Sequence, residues 1–349
     1  MKLLKKITLI LIVFFQTGNL LSKNNLFNVN NILLEKQDNT SNIEIANLAV
    51  KVAFKQLIKK VLLKEDMNRF SDLKLEDMKD LVVYYNISKN LEEENNKINL
   101  SITFDKDKIH DLFFKRGILY SDISEKELYI LPILLDKNEI FIFANNYFYE
   151  NWNTSKKKDE LIDFILLLEN IETIKNVNQF KNNLIDLELK LLFKEYSNKN
   201  IALALIENSG SNENKVYLRA RIQNKILTKN LKLRNNNLDK TKFNEEIIFA
   251  IKEEITNLIK SQNLIDIRTP SFLNVRLILD NKKKSNLVLL NSKIGNIESV
   301  ENIYVQQFNK NYVELKIKYL GKLDKIMEQL KNENINLQFV NDQWLIKIM

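Results

Sequence analysis

Residues 312–319, Tyr-Val-Glu-Leu-Lys-Ile-Lys-Tyr, alternate between apolar and polar side chains. The apolar members Val313, Leu315 and Ile317 would share one face of a β-strand, because successive strand side chains point to opposite faces. Such alternation is typical of a sheet that is covered by helices on one side. The stretch therefore predicts a half-buried strand, and the segments around it predict the rest of its module.

These segments predict a ferredoxin-like domain over residues 271–349. Apolar spacings of two residues indicate strands and spacings of three or four indicate helices. We expect strands at 272–279 and 300–308 and helices at 285–293 and 322–331. A strand or hairpin is expected at 337–348. Together with the first strand they give the order β-α-β-β-α-β of the split βαβ fold.

A middle α+β domain is predicted over residues 124–261. We expect strands at 128–135 and 139–143, followed by amphipathic helices at 156–169 and 178–196. An antiparallel meander then occupies 201–233. A helix at 242–260, with apolar residues along one face, closes the domain.

An N-terminal α+β domain is predicted over residues 27–123. Ser41 and Glu44 have the spacing of a capping box, which predicts the start of a helix of about five turns. A shorter helix is expected after Ser71, and a hairpin at 81–87 and 97–104. Asp105 is expected to cap the next helix, and Gly117 to end it in the left-handed conformation. Helix and strand contents are comparable along the chain, so the fold class is α+β, with small modules in series.

The first residues indicate export. Lys2, Lys5 and Lys6 precede the apolar run Ile7–Phe15, and Leu20-Leu21-Ser22 offers a cleavage site. This is the pattern of a bacterial signal peptide over residues 1–22, so we expect a periplasmic protein. The alternative is an uncleaved signal that anchors the chain in the inner membrane, and only then is membrane contact expected.

Composition argues against several classes of function. The absence of cysteine excludes disulfides, thiolate nucleophiles and thiolate zinc sites. Five scattered glycines give no phosphate-binding loop, and we expect no cofactor. Removal of residues 1–22, with three lysines, lowers the formal net charge from +8 to +5. Because only seven residues are arginine, the sequence predicts no nucleic-acid partner.

The segment from Asp105 to Asp111 contains three carboxylates and the single histidine, His110. It lacks the glycine and the later glutamate that a helix-loop-helix calcium site needs, so we expect no metal ligands here. No Gly-x-Ser-x-Gly motif accompanies His110. An exposed, solvated histidine is therefore expected, and no catalytic residue is assigned.

An aromatic stretch follows the second predicted strand of the middle domain. A turn at Asn145-Asn146 would place some of its rings at a domain edge, where they would suit recognition of a sugar or a protein. The alternative is a strand end that packs into the core. The candidate recognition surface consists of Phe141, Phe143, Tyr147, Phe148, Tyr149 and Trp152.

Three parts of the chain resemble a family of exported proteobacterial proteins catalogued as a domain of unknown function, number two thousand and sixty-six in that series. The alanine-spaced helix of residues 46–58 is similar to that family's first helix. Residues 102–118, with strand, Asp105, helix and Gly117, and residues 313–321 are similar to two further motifs. The turn after the first helix departs from the family, with lysines at 59 and 60. The resemblance implies a signal-bearing envelope protein without assigned chemistry, and it supplies no catalytic residues.

Small α+β modules without site chemistry favour a non-catalytic, exported protein that binds or scaffolds a cell-envelope protein or polymer. One alternative is a periplasmic hydrolase of peptidoglycan or another envelope polymer, which would need a cleft with two carboxylates. Another is an assembly factor tethered to the inner membrane. The sequence thus predicts a binding protein, with its partner unidentified.

Overall fold

The computed structural model describes residues 26–35, 41–89, 97–123, 125–137, 139–154, 160–208, 213–279, 286–297 and 299–349. The predicted signal peptide, residues 1–22, lies outside the described residues. The described chain forms two compact units. The first consists of residues up to 60, 66–119 and 266–349, and the second of residues 61–65 and 120–265.

The N-terminal part of the first unit is a three-stranded antiparallel sheet. Its strands are β1 (Asn28–Glu35), β2 (Val82–Lys89) and β3 (Lys97–Phe104), with β3 in the middle. Its helices are α1 (Asn42–Val61), α2 (Leu75–Asp80) and α3 (Lys106–Arg116), and a 3-10 helix spans Lys64–Phe70. The predicted hairpin and helices are confirmed, whereas β1 is a strand that the sequence pattern does not predict.

The helix ends obey the predicted local chemistry. The Ser41 backbone N–H donates to Glu44 Oε2 at 2.9 Å, and the Glu44 N–H donates to Ser41 Oγ at 3.2 Å. The Asp105 carboxylate accepts two N–H groups of the first turn of α3, at 3.0 and 3.1 Å. Gly117 ends α3 with φ of 60°. The capping box, the aspartate cap and the glycine stop are therefore confirmed.

Packing on this sheet is one-sided. Leu100, Ile102 and Phe104 of β3 are each 1% exposed, whereas the alternate residues of that strand are only half-buried. Helix α1 packs on the buried face, where the ring centroids of Phe54 and Phe104 are 6.2 Å apart. Phe70 of the 3-10 helix continues this core, 6.0 Å from Phe54.

The second unit is built on a six-stranded mixed sheet. The strands are β5 (Glu127–Asp136), β6 (Glu139–Phe141), β7 (Asp163–Leu166), β8 (Asn200–Asn208), β9 (Glu213–Ile222) and β10 (Lys225–Arg234). Their order in the sheet is β10-β9-β8-β5-β6, with β7 also paired to β5. A two-stranded ladder joins β4 (Tyr120–Ser121) to β11 (Leu264–Ile265). The predicted antiparallel meander is confirmed as β8-β9-β10.

Helices cover both faces of the six-stranded sheet. They are α4 (Tyr147–Asn151), α5 (Ile171–Gln179), α6 (Leu189–Leu192) and α7 (Lys240–Gln262), with 3-10 turns at Leu184–Asp186 and Lys194–Tyr196. Alternate residues of β8 enter two different cores. Ile206 packs with the residues of α7, whereas Leu203 packs with those of α5 and α6.

Two predicted helices of the middle domain are wrong. The described part of 156–169 contains the strand β7, which pairs in parallel with β5. Its continuous apolar run lacks a polar helical face, and a strand buried on both sides has this composition. Within 178–196, α5 ends at Gln179, and two 3-10 turns and the four-residue helix α6 follow. These turns bury Leu184, Leu187 and Leu192 without the regular spacing of one helix.

The C-terminal part of the first unit is a five-stranded sheet with two helices. Its elements are β12 (Ser271–Ile278), α8 (Asn286–Ile294), β13 (Val300–Phe308), β14 (Tyr312–Tyr319), α9 (Leu323–Asn332), β15 (Ile335–Val340) and β16 (Gln343–Ile348). The strand order is β13-β14-β12-β16-β15. The predicted order β-α-β-β-α-β is confirmed, and the closing segment is a hairpin. Its second strand, β16, pairs in parallel with β12.

The structure confirms the α+β class, since helices and mixed or antiparallel sheets alternate along the chain. The division into domains at 27–123, 124–261 and 271–349 stays a prediction. Among the described residues, no helix combines the length and apolar character required to cross a membrane.

Candidate functional site

The six aromatic residues of the candidate recognition surface are split between core and surface. Phe143, Phe148 and Trp152 are at most 4% exposed, and Phe143 packs on the opposite face of the sheet from the other two. The remaining three rings, Phe141, Tyr147 and Tyr149, are partly exposed. Recognition by this group stays a prediction, with three of its rings enclosed in the cores.

The adjacent Asn146 explains why this segment turns inward. Its side chain is fully buried, and its amide N–H groups donate to the carbonyls of Pro132, Phe141 and Ile142 at 2.8–3.0 Å. Its Oδ1 accepts the N–H groups at the start of α4. Because one buried amide satisfies five backbone groups, this turn is held in place as a structural corner.

A buried ion pair lies beside these rings. Lys252 Nζ of α7 is 2.9 Å from Glu160 Oε1, and the side chains are 7% and 12% exposed. The ammonium also lies 5.7 Å from the centre of the Trp152 ring and 5.8 Å from that of Phe164. Because Lys252 is paired with a carboxylate and flanked by aromatic rings, we interpret it as a residue that stabilises the fold.

His110 is buried, so the expectation of an exposed histidine is wrong. It is 8% exposed and meets the ring of Phe27 edge-on, with centroids 5.5 Å apart. Burial lowers its pKa to about 4, and the nearby Lys106 adds to that effect. The imidazole is therefore neutral at pH 7 and serves as a packed ring of the core between α3 and the chain before β1.

The carboxylates around His110 have separate roles. Asp105 caps α3, and Asp107 and Asp111 are exposed on that helix. Among the described residues, no three His, Cys, Asp or Glu side chains are grouped so that they could hold a metal ion.

Four carboxyl groups of the described chain have pKa values displaced downward. Hydrogen bonds from Ser41 lower the pKa of Glu44, and the guanidinium of Arg116 lowers that of Asp72. A backbone N–H bond lowers the pKa of Asp239, and Arg268 lowers that of Asp266. These groups are anionic near neutral pH, so none of the four is suited to act as a general acid there.

A groove of about 560 Å³ lies between α1 and β2, and we call it the α1–β2 groove. Five residues of α1 form one wall, four residues of β2 form the other, and Lys79 of α2 also contributes to the lining. The α1 wall is formed by Asn42, Ile43, Ala46, Asn47 and Val50, and the β2 wall by Val82, Val83, Tyr84 and Tyr85.

Strand β2 is exposed on both faces although five of its eight residues are aliphatic or aromatic. Val83, Tyr84, Tyr85 and Ile87 are 58%, 40%, 52% and 42% exposed. In the antiparallel register, Tyr85 lies opposite Ile102, which is 1% exposed. The helical layer that buries Ile102 thus stops short of Tyr85, and the α1–β2 groove is the resulting gap.

The backbone of β2 is also open along one side. Among the described strands, β2 pairs only with β3. Asp105 N–H donates to Leu81 O, and Phe104 N–H donates toward the β1 side, to Phe27 O. Because bonding directions alternate along antiparallel strands, Tyr84 and Asn86 bond to β3, while the N–H and C=O groups of Tyr85 and Ile87 point away from it.

The sequence of β2 contains a pattern that could have indicated this groove. The run Val82-Val83-Tyr84-Tyr85 is apolar at consecutive positions, whereas β3 alternates cleanly. An apolar strand of this kind needs cover on both faces, and the sequence does not indicate which neighbour supplies it.

No family model matches the chain, and no curated protein matches it. A solved structure described as "Crystal structure of uncharacterized protein" is similar over 40% of this chain and 94% of that chain. The identity is 7% and the TM-score is 0.19. A similarity at that TM-score carries no argument about function, and the family resemblance stays a prediction.

Proposed function

We propose that the protein is a non-catalytic, exported cell-envelope protein that binds another envelope protein through the α1–β2 groove. The observation that carries this proposal is strand β2, which is exposed on both faces and, among the described strands, is paired along one edge only. An open apolar edge strand is a template for pairing with another chain, so stable proteins normally blunt or cover it.

The chemistry of the groove favours a protein over a polysaccharide partner. The open edge offers backbone donors and acceptors, which a polypeptide can match in a regular ladder. The walls carry aliphatic, amide and tyrosine side chains, and Lys79 is the charged residue among the described lining residues. Apolar side chains of a bound polypeptide would remove the exposed rings of Tyr84 and Tyr85 from water.

Export is proposed from the N-terminal sequence. Lys2, Lys5 and Lys6 before the run Ile7–Phe15 support a signal peptide, and Ser22 supports cleavage before Lys23. Periplasmic location would bring the groove into contact with envelope proteins. N-terminal sequencing of protein from the periplasmic fraction should start near Lys23, whereas Met1 in a carbonate-resistant membrane fraction would support the anchored alternative.

Photo-crosslinking in cells tests the binding site. A photoreactive phenylalanine analogue at Tyr84 or Tyr85 should give crosslinked adducts whose protein component is identified by mass spectrometry. The matched control is Ile171 of α5, which is 72% exposed but belongs to a helix of the second unit. Equal crosslinking from Ile171, or none from either tyrosine, would contradict the proposal.

A further inference from the structure

We propose that two copies of this chain form a two-fold symmetric dimer, in which their β15 strands pair antiparallel with Gln338 on the symmetry axis. The five-stranded C-terminal sheet would then continue from one copy into the other. This inference goes beyond the proposed function and does not use the α1–β2 groove.

Strand β15 ends the five-stranded sheet without the features that usually protect an edge. Among the described strands it pairs only with β16, and its register with that strand runs without a shift. Its six residues, Ile-Asn-Leu-Gln-Phe-Val, include no charged residue and no proline. Such an edge is a template for a further strand unless charge, a bulge or a covering element blunts it.

Two other edges of the larger sheets are protected in these ways. Strand β13, at the opposite edge of the same sheet, carries Glu301 and has two register shifts against β14. Strand β10 of the second unit carries four basic residues along its length. The contrast distinguishes β15 as an edge that is suited to pairing.

The turn between β15 and β16 fixes which backbone groups of β15 face outward. Val340 pairs with Gln343 across a two-residue turn, and both turn residues have positive φ. The residues that close such a hairpin bond to each other, and the bonding direction alternates along the strand. Counting back from Val340, Leu337 and Phe339 therefore direct their N–H and C=O groups away from β16.

Exposure is concentrated on the half of β15 next to this turn. Phe339 and Val340 are 56% and 42% exposed and Gln338 is also exposed, whereas Ile335 is 1% exposed. The accessible part of the edge therefore runs from Leu337 to Val340. A pairing centred on Gln338 uses this part and leaves Ile335 outside the ladder.

The backbone of a second copy completes this ladder. When Gln338 lies opposite Gln338 of the second copy, Leu337 lies opposite Phe339 of that copy, and the reverse pair forms by symmetry. Because both residues direct their backbone groups outward, the two equivalent pairs would form about four hydrogen bonds. The bonds between β15 and β16 are not disturbed.

The same register also matches the side chains on each face. Leu337 and Phe339 lie on the face that carries the buried Ile346, so apolar residues meet apolar residues there. On the opposite face, the amide of Gln338 meets the amide of Gln338 of the second copy. A register that is shifted by one residue would place these side chains on the wrong faces.

The chain itself thus supplies a strand with the required pattern, as an isologous dimer needs. A head-to-tail contact between β15 and β13 of another copy is a poorer match. It would meet the two register shifts of β13 and would lead to filaments, because it does not close. The acidic residues that flank β15, Glu333 and Asp342, lie outside the two-fold ladder.

Sedimentation velocity of the purified protein tests the dimer. This contact is smaller than the roughly 1,200 Å² that stable interfaces bury, so we expect a reversible dimer with Kd of about 10 to 100 µM. Measurements should therefore show monomer converting to dimer as the concentration rises past that range. Monomer throughout, or species that grow beyond a dimer, would overturn the inference.

The absence of cysteine from the chain allows a register-specific crosslink. In Gln338→Cys, the two thiols would face each other at a non-hydrogen-bonded pair, where Cα atoms lie about 4.5 Å apart and a disulfide can form. The control is Asn336→Cys, the next residue on the same face, whose two copies would lie about 14 Å apart.

Under mild oxidation, we expect Gln338→Cys to form a covalent dimer about tenfold faster than Asn336→Cys, since only the first pair has disulfide geometry. Gel electrophoresis without reductant measures both rates. Equal rates would overturn the proposed register.

Opposite charges at the axis test whether the partner is a second copy. Gln338→Lys and Gln338→Glu would each bring two like charges together, so each variant alone should dimerise about tenfold more weakly than wild type. An equal mixture of the two should recover a mixed dimer, which native mass spectrometry distinguishes from either homodimer. Asn336→Lys mixed with Asn336→Glu is the matched control and should show no such preference.

Two results of this experiment would contradict the inference. Wild-type dimerisation of each Gln338 variant would show that the copies meet elsewhere. Weak dimerisation without recovery in the mixture, at unchanged melting temperatures, would show that Gln338 does not face its own copy.

Crosslinking in cells separates a second copy from a foreign strand. A photoreactive phenylalanine analogue at Phe339 should give adducts of twice the mass of the chain, whereas adducts with a different protein alone would overturn the inference. The adducts proposed for Tyr84 and Tyr85 should persist in the Gln338 variants. Failure of the dimer and failure of the proposed function are therefore distinguishable.

Discussion

Strands β8 and β2 are both apolar, yet their surroundings are opposite. Every residue of β8 from Asn200 to Ile206 is buried, because helices lie on both faces and strands on both edges. In β2, four large apolar residues are at least 40% exposed, and β3 is its one neighbour among the strands that the structure describes. Apolar composition alone therefore does not determine burial, and the number of packed layers decides whether a strand becomes core or binding surface.

The largest expected effect comes from creating a cavity beside β8 in the six-stranded sheet. Leu203→Ala in β8 removes a side chain that is 1% exposed and packs with residues of α5 and α6. We expect the free energy of unfolding to fall by about 4 kcal/mol, from lost burial plus the residual cavity. Urea denaturation would measure it, and a loss below about 1 kcal/mol would show that the two sheets are less different than the structure indicates.

The next effect concerns the core of the three-stranded sheet. The pKa of His110 is about 4 in the folded protein against an ordinary value of 6.5, chiefly because of burial. Above pH 6.5 the imidazole is neutral in both states. Between pH 6.5 and about 4 the unfolded chain binds the extra proton, so stability should fall by up to about 3 kcal/mol as the pH is lowered.

His110→Gln isolates this effect because glutamine does not titrate. The difference in unfolding free energy between wild type and variant should change between pH 7 and 5. Lys106 acts in the same direction as burial, while Glu301, Asp107 and Asp111 act against it. Asp111→Asn is the control for an exposed neighbour. A pH-independent difference for His110→Gln would show that the imidazole is hydrated.

A smaller effect is expected at the start of α3. Asp105→Ala removes the acceptor of two backbone N–H groups and should lower the unfolding free energy by about 1 kcal/mol. Asp111→Ala on the exposed side of the same helix should change it by less than about 0.5 kcal/mol. Thermal or urea unfolding distinguishes them, and equal effects would contradict the capping role.

The smallest effect is predicted for the open strand. Val83→Ala in β2 removes a side chain that is 58% exposed, so stability should change by less than about 0.5 kcal/mol. The same variant should reduce photo-crosslinking from Tyr84 if the groove is a binding surface. A stability loss close to that of Leu203→Ala would show that β2 is covered in solution, and the contrast between the strands would disappear.

Helix caps and strand alternation were predictable from the sequence because they depend only on residues a few positions apart. The capping box of Ser41 and Glu44, the Asp105 cap, the Gly117 stop and the alternation of Val313, Leu315 and Ile317 are of this kind. The order of elements in the C-terminal sheet followed from the same periodicities. Short apolar segments were less predictable, since β7 has the composition of either a buried helix or a buried strand.

The sequence by itself determined the α+β class, the helix ends at Ser41, Asp105 and Gly117, and most strands, because hydrogen-bonding and periodicity rules act within a few residues. Only the tertiary structure decided that His110 is buried against Phe27 and that Phe143, Phe148 and Trp152 enter the cores. It also decided that Val83, Tyr84, Tyr85 and Ile87 of β2 stay exposed, with part of the strand lining a groove beside α1. These outcomes depend on which layers meet across long sequence separations, and no local pattern encodes that choice.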